Sequence, residues 1–171
     1  VLAQRIGPDG HSLWTQGGVH LTRIGVNPSI APDGDGGAYV AWDGGIQRVL
    51  ASGAIATGWP SDGEPMSGSS YPTIAPDGLG GAIVAWMSSD PTTGWDIYSL
   101  RIGPDGRPSA GWPTAGVALC TLAQGQYYPT VCPDDSGGAI VTWADDRAGD
   151  SFWDIYAQRI DGTGHTLWAE D

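Results

Sequence analysis

The chain of 171 residues repeats itself, and this repetition constrains its fold more than any other feature. One block starts at a proline, passes through a Pro-Asp-x-x-Gly-Gly turn and ends at a tryptophan; it covers residues 28–42, 72–86 and 129–143. A second block is centred on an arginine and occurs four times, at Arg5, Arg48, Arg101 and Arg159. Self-similarity at a period of about 40–60 residues predicts a repeat architecture, in which each unit buries its apolar faces by stacking on its neighbours.

Composition excludes several classes of partner. The 28 glycines and 13 prolines recur at fixed positions of the repeat, so they indicate turns between short strands rather than disorder. The chain has 19 acidic residues against 7 basic ones, and its net charge is -12. Such a surface repels phosphate backbones, so we expect no nucleic-acid partner. No apolar run approaches the ~20 residues that cross a bilayer, so we expect no membrane span.

Each full copy contains four strand-like pieces, which we call A, B, C and D. In the middle copy they cover residues 71–75, 82–86, 96–102 and 116–119. Proline and glycine turns connect A to B and C to D, because proline presets φ and glycine supplies the positive φ of a reversing turn. Piece B is apolar on both faces, as expected for a strand covered on both sides by other sheets.

Four-stranded antiparallel units that repeat along a chain and are covered on both faces predict the blades of a β-propeller. The predicted fold is therefore all-β, with roughly fourteen short strands in one partial propeller domain over residues 1–171. Its expected parts are a half blade with pieces C and D at 1–26, and full blades at 27–70, 71–127 and 128–171. The tryptophans that end piece B should be buried between adjacent blades: Trp42, Trp86 and Trp143.

The repeats also resemble those of a known class. The pattern Gly-Gly-Ala-x-Val-x-Trp, then Asp-Ile-Tyr-Ala-Gln-Arg-Ile, then Leu-Trp before Gly-Val is similar to the repeats of exported bacterial proteins with sialidase-like (BNR) propellers. The turn from Asp9 to Trp14 keeps the spacing of the Asp-box motif without its opening serine. This resemblance implies an extracellular or cell-surface location. The chain begins within a repeat, so we expect any targeting segment to lie outside it.

The four repeated arginines raise the question of catalysis, since sialidases hold the substrate carboxylate with an arginine cluster. Repetition at one position places Arg5, Arg48, Arg101 and Arg159 in separate blades, so we expect structural ladders in which each faces an aspartate or a backbone carbonyl. Glu64 and Glu170 are the only glutamates, and no Tyr–Glu nucleophile pair can be assigned. We therefore expect a non-catalytic module with a structural or binding function, with a sialidase-type glycoside hydrolase as the alternative.

Candidate binding residues lie between pieces B and C, where two copies carry long loops. Trp95 and Trp153 precede piece C in these copies, and Asp96 and Asp154 are its first residues. An exposed tryptophan favours contact with a glycan or a protein, so these four residues are the candidate ligand-binding residues. A tryptophan that caps the blade core is the alternative interpretation. The second loop also carries Asp145, Asp146 and Asp150, a set of oxygen ligands that suits calcium; we expect no other cofactor.

Two cysteines, Cys120 and Cys132, allow two interpretations. They form a disulfide in an exported protein, or they are buried thiols that act as small apolar residues. The second is favoured because Cys132 stands where the other copies have Ala31 and Ala75.

The strand count also predicts a partner. The chain supplies about three and a half blades, whereas closed propellers use about four to eight. An open arc exposes a blade face and unpaired strand edges, which promote association. We therefore expect the chain either to associate with copies of itself or to be part of a longer propeller chain.

Overall fold

The structure is a computed structural model, which describes residues 1–149 and 152–169. In these residues the regular secondary structure consists of thirteen β-strands and no helix. The all-β prediction is confirmed. None of the described residues belongs to a helix long and apolar enough to cross a membrane.

The strands form four antiparallel sheets that follow one another along the chain. The first sheet pairs β1 (Leu2–Ala3) with β2 (Val19–His20). The second sheet runs β3, β4, β5, β6: Ser29–Pro32, Ala38–Trp42, Gly45–Val49 and Glu64–Pro65. The third sheet runs β7, β8, β9, β10: Ser70–Pro76, Ala82–Asp90, Gly94–Ile102 and Val117–Cys120. The fourth sheet runs β11, β12, β13: Gln126–Pro133, Ala139–Asp145 and Asp154–Ile160.

Pieces A to D of the repeat become the four strands of a sheet in that order. The first sheet contains only C and D, as expected. The expectation of a complete third copy is wrong within the described residues, because the fourth sheet contains only A, B and C. After β13 the chain forms a turn closed by a bridge between Ile160 and Thr166. Strands β7 and β11 begin at Ser70 and Gln126, just before the predicted boundaries.

The structure shows why aspartate and glycine recur in the Pro-Asp-x-x-Gly-Gly turn between strands A and B. Asp33 Oδ1 accepts hydrogen bonds from the backbone amides of Asp35 and Gly37, at 2.9 and 2.8 Å. A Cβ on Gly37 would lie 2.2 Å from the carbonyl oxygen of Val49, so only glycine allows the turn to approach strand C. The same aspartate and glycine contacts recur in the third and fourth sheets: Asp77 with Gly81, and Asp134 with Gly138.

Successive sheets pack on one another in chain order. Strand β7 packs against β3 and β4, and β11 packs against β7 and β8. The main core runs through the second, third and fourth sheets. A smaller cluster joins the first and second sheets and consists of Ala3, Trp14, Leu21, Val40, Trp42 and Val49. The tryptophans at the end of strand B are buried, with exposed fractions of 3, 5 and 2 %: Trp42, Trp86 and Trp143.

Coverage of strand B differs between the sheets. All of β4 and the first six residues of β8 are buried, as the apolar pattern on both faces predicts. In β12 buried residues alternate with half-buried ones, among them Ile140. The fourth sheet therefore has one incompletely covered face, which is the face that a following sheet would cover.

This open face also corrects the interpretation of the cysteines. Neither cysteine is part of a disulfide; Cys120 is buried, but Cys132 is exposed. The expectation that Cys132 is buried is wrong because it was based on Ala31 and Ala75, each of which lies under a following sheet. No sheet follows the fourth one in the described residues, so the same repeat position faces solvent there.

Candidate functional site

Aromatic side chains gather at one end of the third and fourth sheets. Antiparallel order places the A–B and C–D turns at one end of each sheet, the turn end, and the B–C loops at the other, the loop end. At the loop end Tyr127 stacks on Trp153 with ring centroids 5.1 Å apart, and Tyr128 lies 6.1 Å from Trp153. Tyr71 meets Tyr128 edge to face at 5.5 Å. We call these four residues the aromatic rim.

Three rings of the aromatic rim are about half exposed. The exposed fractions are 45 % for Tyr71, 54 % for Tyr128 and 52 % for Trp153. Large aromatic side chains are normally buried to a greater extent, and a contiguous exposed group of them marks a contact surface for a ligand or a partner.

An unusual backbone conformation places the tyrosines at this rim. Tyr71 and Tyr128 each precede a proline and have φ values of 49° and 53°, in the left-handed region that non-glycine residues rarely occupy. The strand register shifts at both positions, so each forms a bulge that redirects the side chain. Asn27 has the same repeat position and a φ of 52°. A non-glycine residue in this region raises the conformational energy of the backbone. Such conformations persist only where the surrounding structure holds them, often at functional sites.

The preceding sheet holds each of these bulges. Asp43 follows the tryptophan of strand β4; its Oδ1 accepts the backbone amide of Tyr71 at 2.8 Å, and its Oδ2 accepts the side-chain amide of Asn27 at 2.9 Å. The residue at the same place in the third sheet is Met87, whose Sδ accepts the amide of Tyr128 at 3.3 Å. These inter-sheet contacts therefore fix the positions of Tyr71 and Tyr128.

The structure separates the two predicted tryptophans. Trp153 belongs to the aromatic rim, whereas Trp95 is half-buried and packs against the main core. The core-capping interpretation applies to Trp95. Sequence analysis missed the three tyrosines of the rim; the available signal was the Tyr-Pro pair that opens piece A in two copies.

The structure also separates the two predicted aspartates. Asp154 is exposed, but Asp96 is only 3 % exposed. Asp96 Oδ2 accepts a hydrogen bond from Thr93 Oγ1 at 3.0 Å, and its Oδ1 has no hydrogen-bond partner. Burial raises the pKa of the Asp96 carboxyl above its usual range.

Replacing Asp96 by asparagine should therefore stabilise the protein at neutral pH, by about 1 kcal/mol. The raised pKa of Asp96 means that its ionised form opposes folding; this penalty is absent below the unfolded pKa of about 3.9 and is complete above the folded pKa. The advantage of Asp96→Asn should thus grow as the pH rises from about 3 to 7. Urea unfolding at several pH values measures it, with the exposed Asp154→Asn as the matched control. A loss of stability at pH 7 would contradict this prediction.

Asp145, the first predicted calcium ligand, is surrounded by donors. Its Oδ1 accepts from the backbone N and Nε of Arg147 at 2.9 and 3.0 Å. Its Oδ2 accepts from Arg147 Nη2 at 2.7 Å and from Trp143 Nε1 at 2.9 Å. Burial opposes ionisation, but the hydrogen bonds from Arg147 and Trp143 outweigh it and lower the pKa of Asp145. Its lone pairs are thus directed at protein donors rather than at a site for a cation.

The other two predicted calcium ligands are Asp146 and Asp150. Asp146 is half-buried, and Asp150 lies outside the described residues. Residues 1–149 and 152–169 contain no group of three or more His, Cys, Asp or Glu side chains placed to hold a metal ion. Calcium binding stays a prediction.

The four repeated arginines lie away from the aromatic rim, toward the turn end, and each is hydrogen-bonded. Arg48 Nε and Nη2 donate to Asp33 Oδ2 at 3.1 and 3.0 Å. Arg101 pairs with Asp77 at 2.8 Å, and Arg159 pairs with Asp134 at 2.8 Å. Arg5 Nη1 donates to the carbonyl oxygen of Ala51 at 3.2 Å. These contacts engage the guanidinium groups within the fold rather than at a shared ligand site.

Models of known protein families do not match this chain, and a search of curated proteins finds none that is significantly similar to it.

Proposed function

We propose that this chain is a non-catalytic β-propeller module of an exported bacterial protein and that its aromatic rim binds a glycan. Two features support the propeller arrangement. Two of the four sheets have the four-stranded antiparallel order of propeller blades. Successive A strands β3, β7 and β11 also pack on one another, as the inner strands of neighbouring blades would.

The observation that carries the binding proposal is the half-exposed group of rings formed by Tyr71, Tyr128 and Trp153. Sugar rings present apolar C–H faces beside hydroxyl groups, so they complement aromatic rings that have an apolar face and a polar edge. The net charge of -12 and the carboxylate of Asp43 beside Tyr71 disfavour an anionic ligand. We therefore propose a neutral glycan, with a protein segment as the other candidate ligand.

The alternative, a sialidase-type glycoside hydrolase, requires free arginines beside catalytic carboxylates. Arg48, Arg101 and Arg159 are paired with aspartates, and the aromatic rim lies at the other end of the sheets. Glu64 belongs to the two-residue edge strand β6, and its Cγ lies 3.5 Å from the position of a Cβ on Gly106, in the C–D turn of the third sheet. These features favour binding without turnover.

Tyr128→Ala and Trp153→Ala should each weaken glycan binding at least about tenfold, because each removes one stacking surface worth ~1.4 kcal/mol. A glycan array identifies the ligand, and calorimetric titration with the best neutral oligosaccharide measures the affinity. Trp168→Ala is the matched control, since Trp168 is 44 % exposed and follows a C–D turn at the opposite end of the fourth sheet.

Two outcomes would contradict the proposal. Affinity that both rim variants retain would place the ligand elsewhere. Hydrolysis of a fluorogenic sialoside that is abolished by a single acidic or tyrosine substitution would favour the hydrolase alternative.

We also propose that the open face of the fourth sheet is covered in the assembled protein, either by a second copy of this chain or by a further repeat of a longer propeller. The support is the alternating burial of β12 and the exposure of Cys132, at positions that are buried in the second and third sheets.

A further inference from the structure

Three tryptophans join successive sheets in the same way. Each follows a C–D turn, is at most 8 % exposed, and donates its indole N–H to a carbonyl oxygen in the C–D turn of the next sheet. The three pairs are Trp14 with Ala51 at 3.0 Å, Trp59 with Pro104 at 3.0 Å, and Trp112 with Gly162 at 3.1 Å. This tryptophan contact is the same at all three junctions between sheets.

The accepting turn is shaped for the ring. Two residues after the accepting carbonyl stands a glycine with positive φ, on which a Cβ would lie 3.0 to 3.4 Å from the indole ring: Gly53, Gly106 and Gly164. The arginine of the donating sheet reaches the same carbonyl, as Arg101 Nη1 reaches Gly162 O at 3.0 Å. A carbonyl acceptor and a bare glycine thus form a seat for one tryptophan and one arginine.

The fourth sheet carries the donors of this contact, and in residues 1–149 and 152–169 no further turn receives them. Trp168, the fourth tryptophan of the series, is 44 % exposed. The Arg159 side chain is 35 % exposed, against 11 % for Arg48 and 13 % for Arg101.

The first sheet has an empty seat. Its C–D turn, residues 7–10, carries the fourth carbonyl of the series at Pro8 and the fourth glycine at Gly10. A Cβ on Gly10 would meet nothing within 4 Å. Ile6 is 58 % exposed, although the same position in the second sheet, Val49, is fully buried against the sheet before it. Among the described residues, no sheet covers Ile6 in the way that the first sheet covers Val49.

We propose that Trp168 of one copy binds the turn of residues 7–10 of a second copy, so that chains associate head to tail. The indole N–H of Trp168 donates to Pro8 O, the ring packs on Gly10, and Arg159 donates to the same carbonyl. The first sheet of the second copy then covers part of the open face of the fourth sheet. The interface repeats, between two chains, the tryptophan contact that joins successive sheets within one chain. It rests on the proposed function, in which the open face of the fourth sheet is covered, and it names a second copy as the partner.

Sedimentation velocity over a range of concentrations tests the interface on the 171-residue chain. The unmodified chain should form larger species as the concentration rises, and Trp168→Ala should weaken this association roughly thirtyfold or more, as expected for a central aromatic contact. Gly10→Asn should weaken it similarly, because asparagine tolerates the left-handed conformation but fills the seat. Gly34→Asn is the control: Gly34 has a φ of 85° and equally open surroundings, but no tryptophan packs on its counterparts.

Mixing the two variants provides a further test. Trp168→Ala keeps an open seat and Gly10→Asn keeps the tryptophan. At a concentration where each variant alone is monomeric, the mixture should therefore form dimers. A chain that remains monomeric at every concentration, or a mixture that does not dimerise, would overturn the proposal. Glycan binding by Trp168→Ala should be unchanged, so failure of the interface and failure of the rim proposal are distinguishable.

Discussion

Replacing Trp86 by alanine should lower the free energy of unfolding by about 3–5 kcal/mol, the cost of removing a large aromatic side chain from a packed core. Trp86 is 5 % exposed and stacks on Tyr98 with ring centroids 6.1 Å apart. Even a single Cβ on Gly116 would lie 2.5 Å from the Trp86 ring, which shows how closely strand D packs on it. The cavity cannot collapse easily, because strands lie on both sides of β8.

Urea unfolding followed by circular dichroism measures this loss. The control is Trp153→Ala, which truncates a tryptophan that is 52 % exposed and should cost less than about 1 kcal/mol. If the slope of the unfolding free energy against urea concentration is unchanged, both variants expose the same surface on unfolding as the unmodified protein does. If the free energy of unfolding of Trp86→Ala lies within 1 kcal/mol of that of the unmodified protein, which is roughly the range of ordinary surface substitutions, the core described for β8 is wrong.

Replacing Asp33 by alanine should cost about 3 kcal/mol at pH 7, because it removes the fully buried partner of the half-buried Arg48, which keeps a longer contact of 3.4 Å with the exposed Asp35. The Asp33 side chain is fully buried, and Arg48 Nη2 lies 3.0 Å from its Oδ2. The substitution also removes the acceptor for the backbone amides of Asp35 and Gly37 in the A–B turn. It therefore disrupts an ion pair and a turn together.

The effect of Asp33→Ala should shrink in acid. Burial disfavours the charged form of Asp33, but hydrogen bonds from the backbone of Asp35, from Arg48 and from the backbone of Gly37 outweigh it, so its pKa is lowered. The stability that this carboxylate contributes is complete above the unfolded pKa of about 3.9 and is lost as the pH falls through the lower folded pKa.

Denaturant titrations from pH 7 down to pH 3 check this dependence. Asp105→Ala is the matched control, since Asp105 is exposed and accepts a local backbone hydrogen bond, from Arg107 at 3.2 Å. A loss for Asp33→Ala that stays constant or increases toward pH 3 would contradict the assigned role of the ion pair.

Much of the local structure was predictable because the same residues recur at the same positions in three copies of the repeat. The Gly-Gly pair before strand B follows from the approach of Gly37 to the carbonyl of Val49. The doubly apolar strand B predicted the complete burial of β4. The expectation that each repeated arginine meets an aspartate or a carbonyl agrees with the contacts of Arg48 and Arg101. These features depend on contacts within a sheet or between identical neighbours, which repetition makes visible.

The features that sequence analysis missed depend on what each copy contacts. Cys132 is exposed because no sheet follows the fourth one in the described residues, although its repeat position is buried in the other copies. Trp95 and Trp153 occupy the same repeat position, but only Trp153 joins the aromatic rim, because Tyr127 lies beside it. Asp145 pairs with Arg147, a residue of a loop that differs in every copy. A repeat position alone does not distinguish these environments.

The sequence by itself determined the all-β class, the turns and the buried tryptophan at the end of each strand B, because these follow from backbone geometry and from patterns that recur along the chain. Only the tertiary structure decided which aromatic residues form the rim, because Tyr71 and Tyr128 reach it through strained bulges that the preceding sheet holds in place. It also decided that Trp168 is exposed while Trp14, Trp59 and Trp112 are buried. The physical reason is the same in both cases: the exposure of a repeated residue depends on the neighbouring sheet rather than on its own.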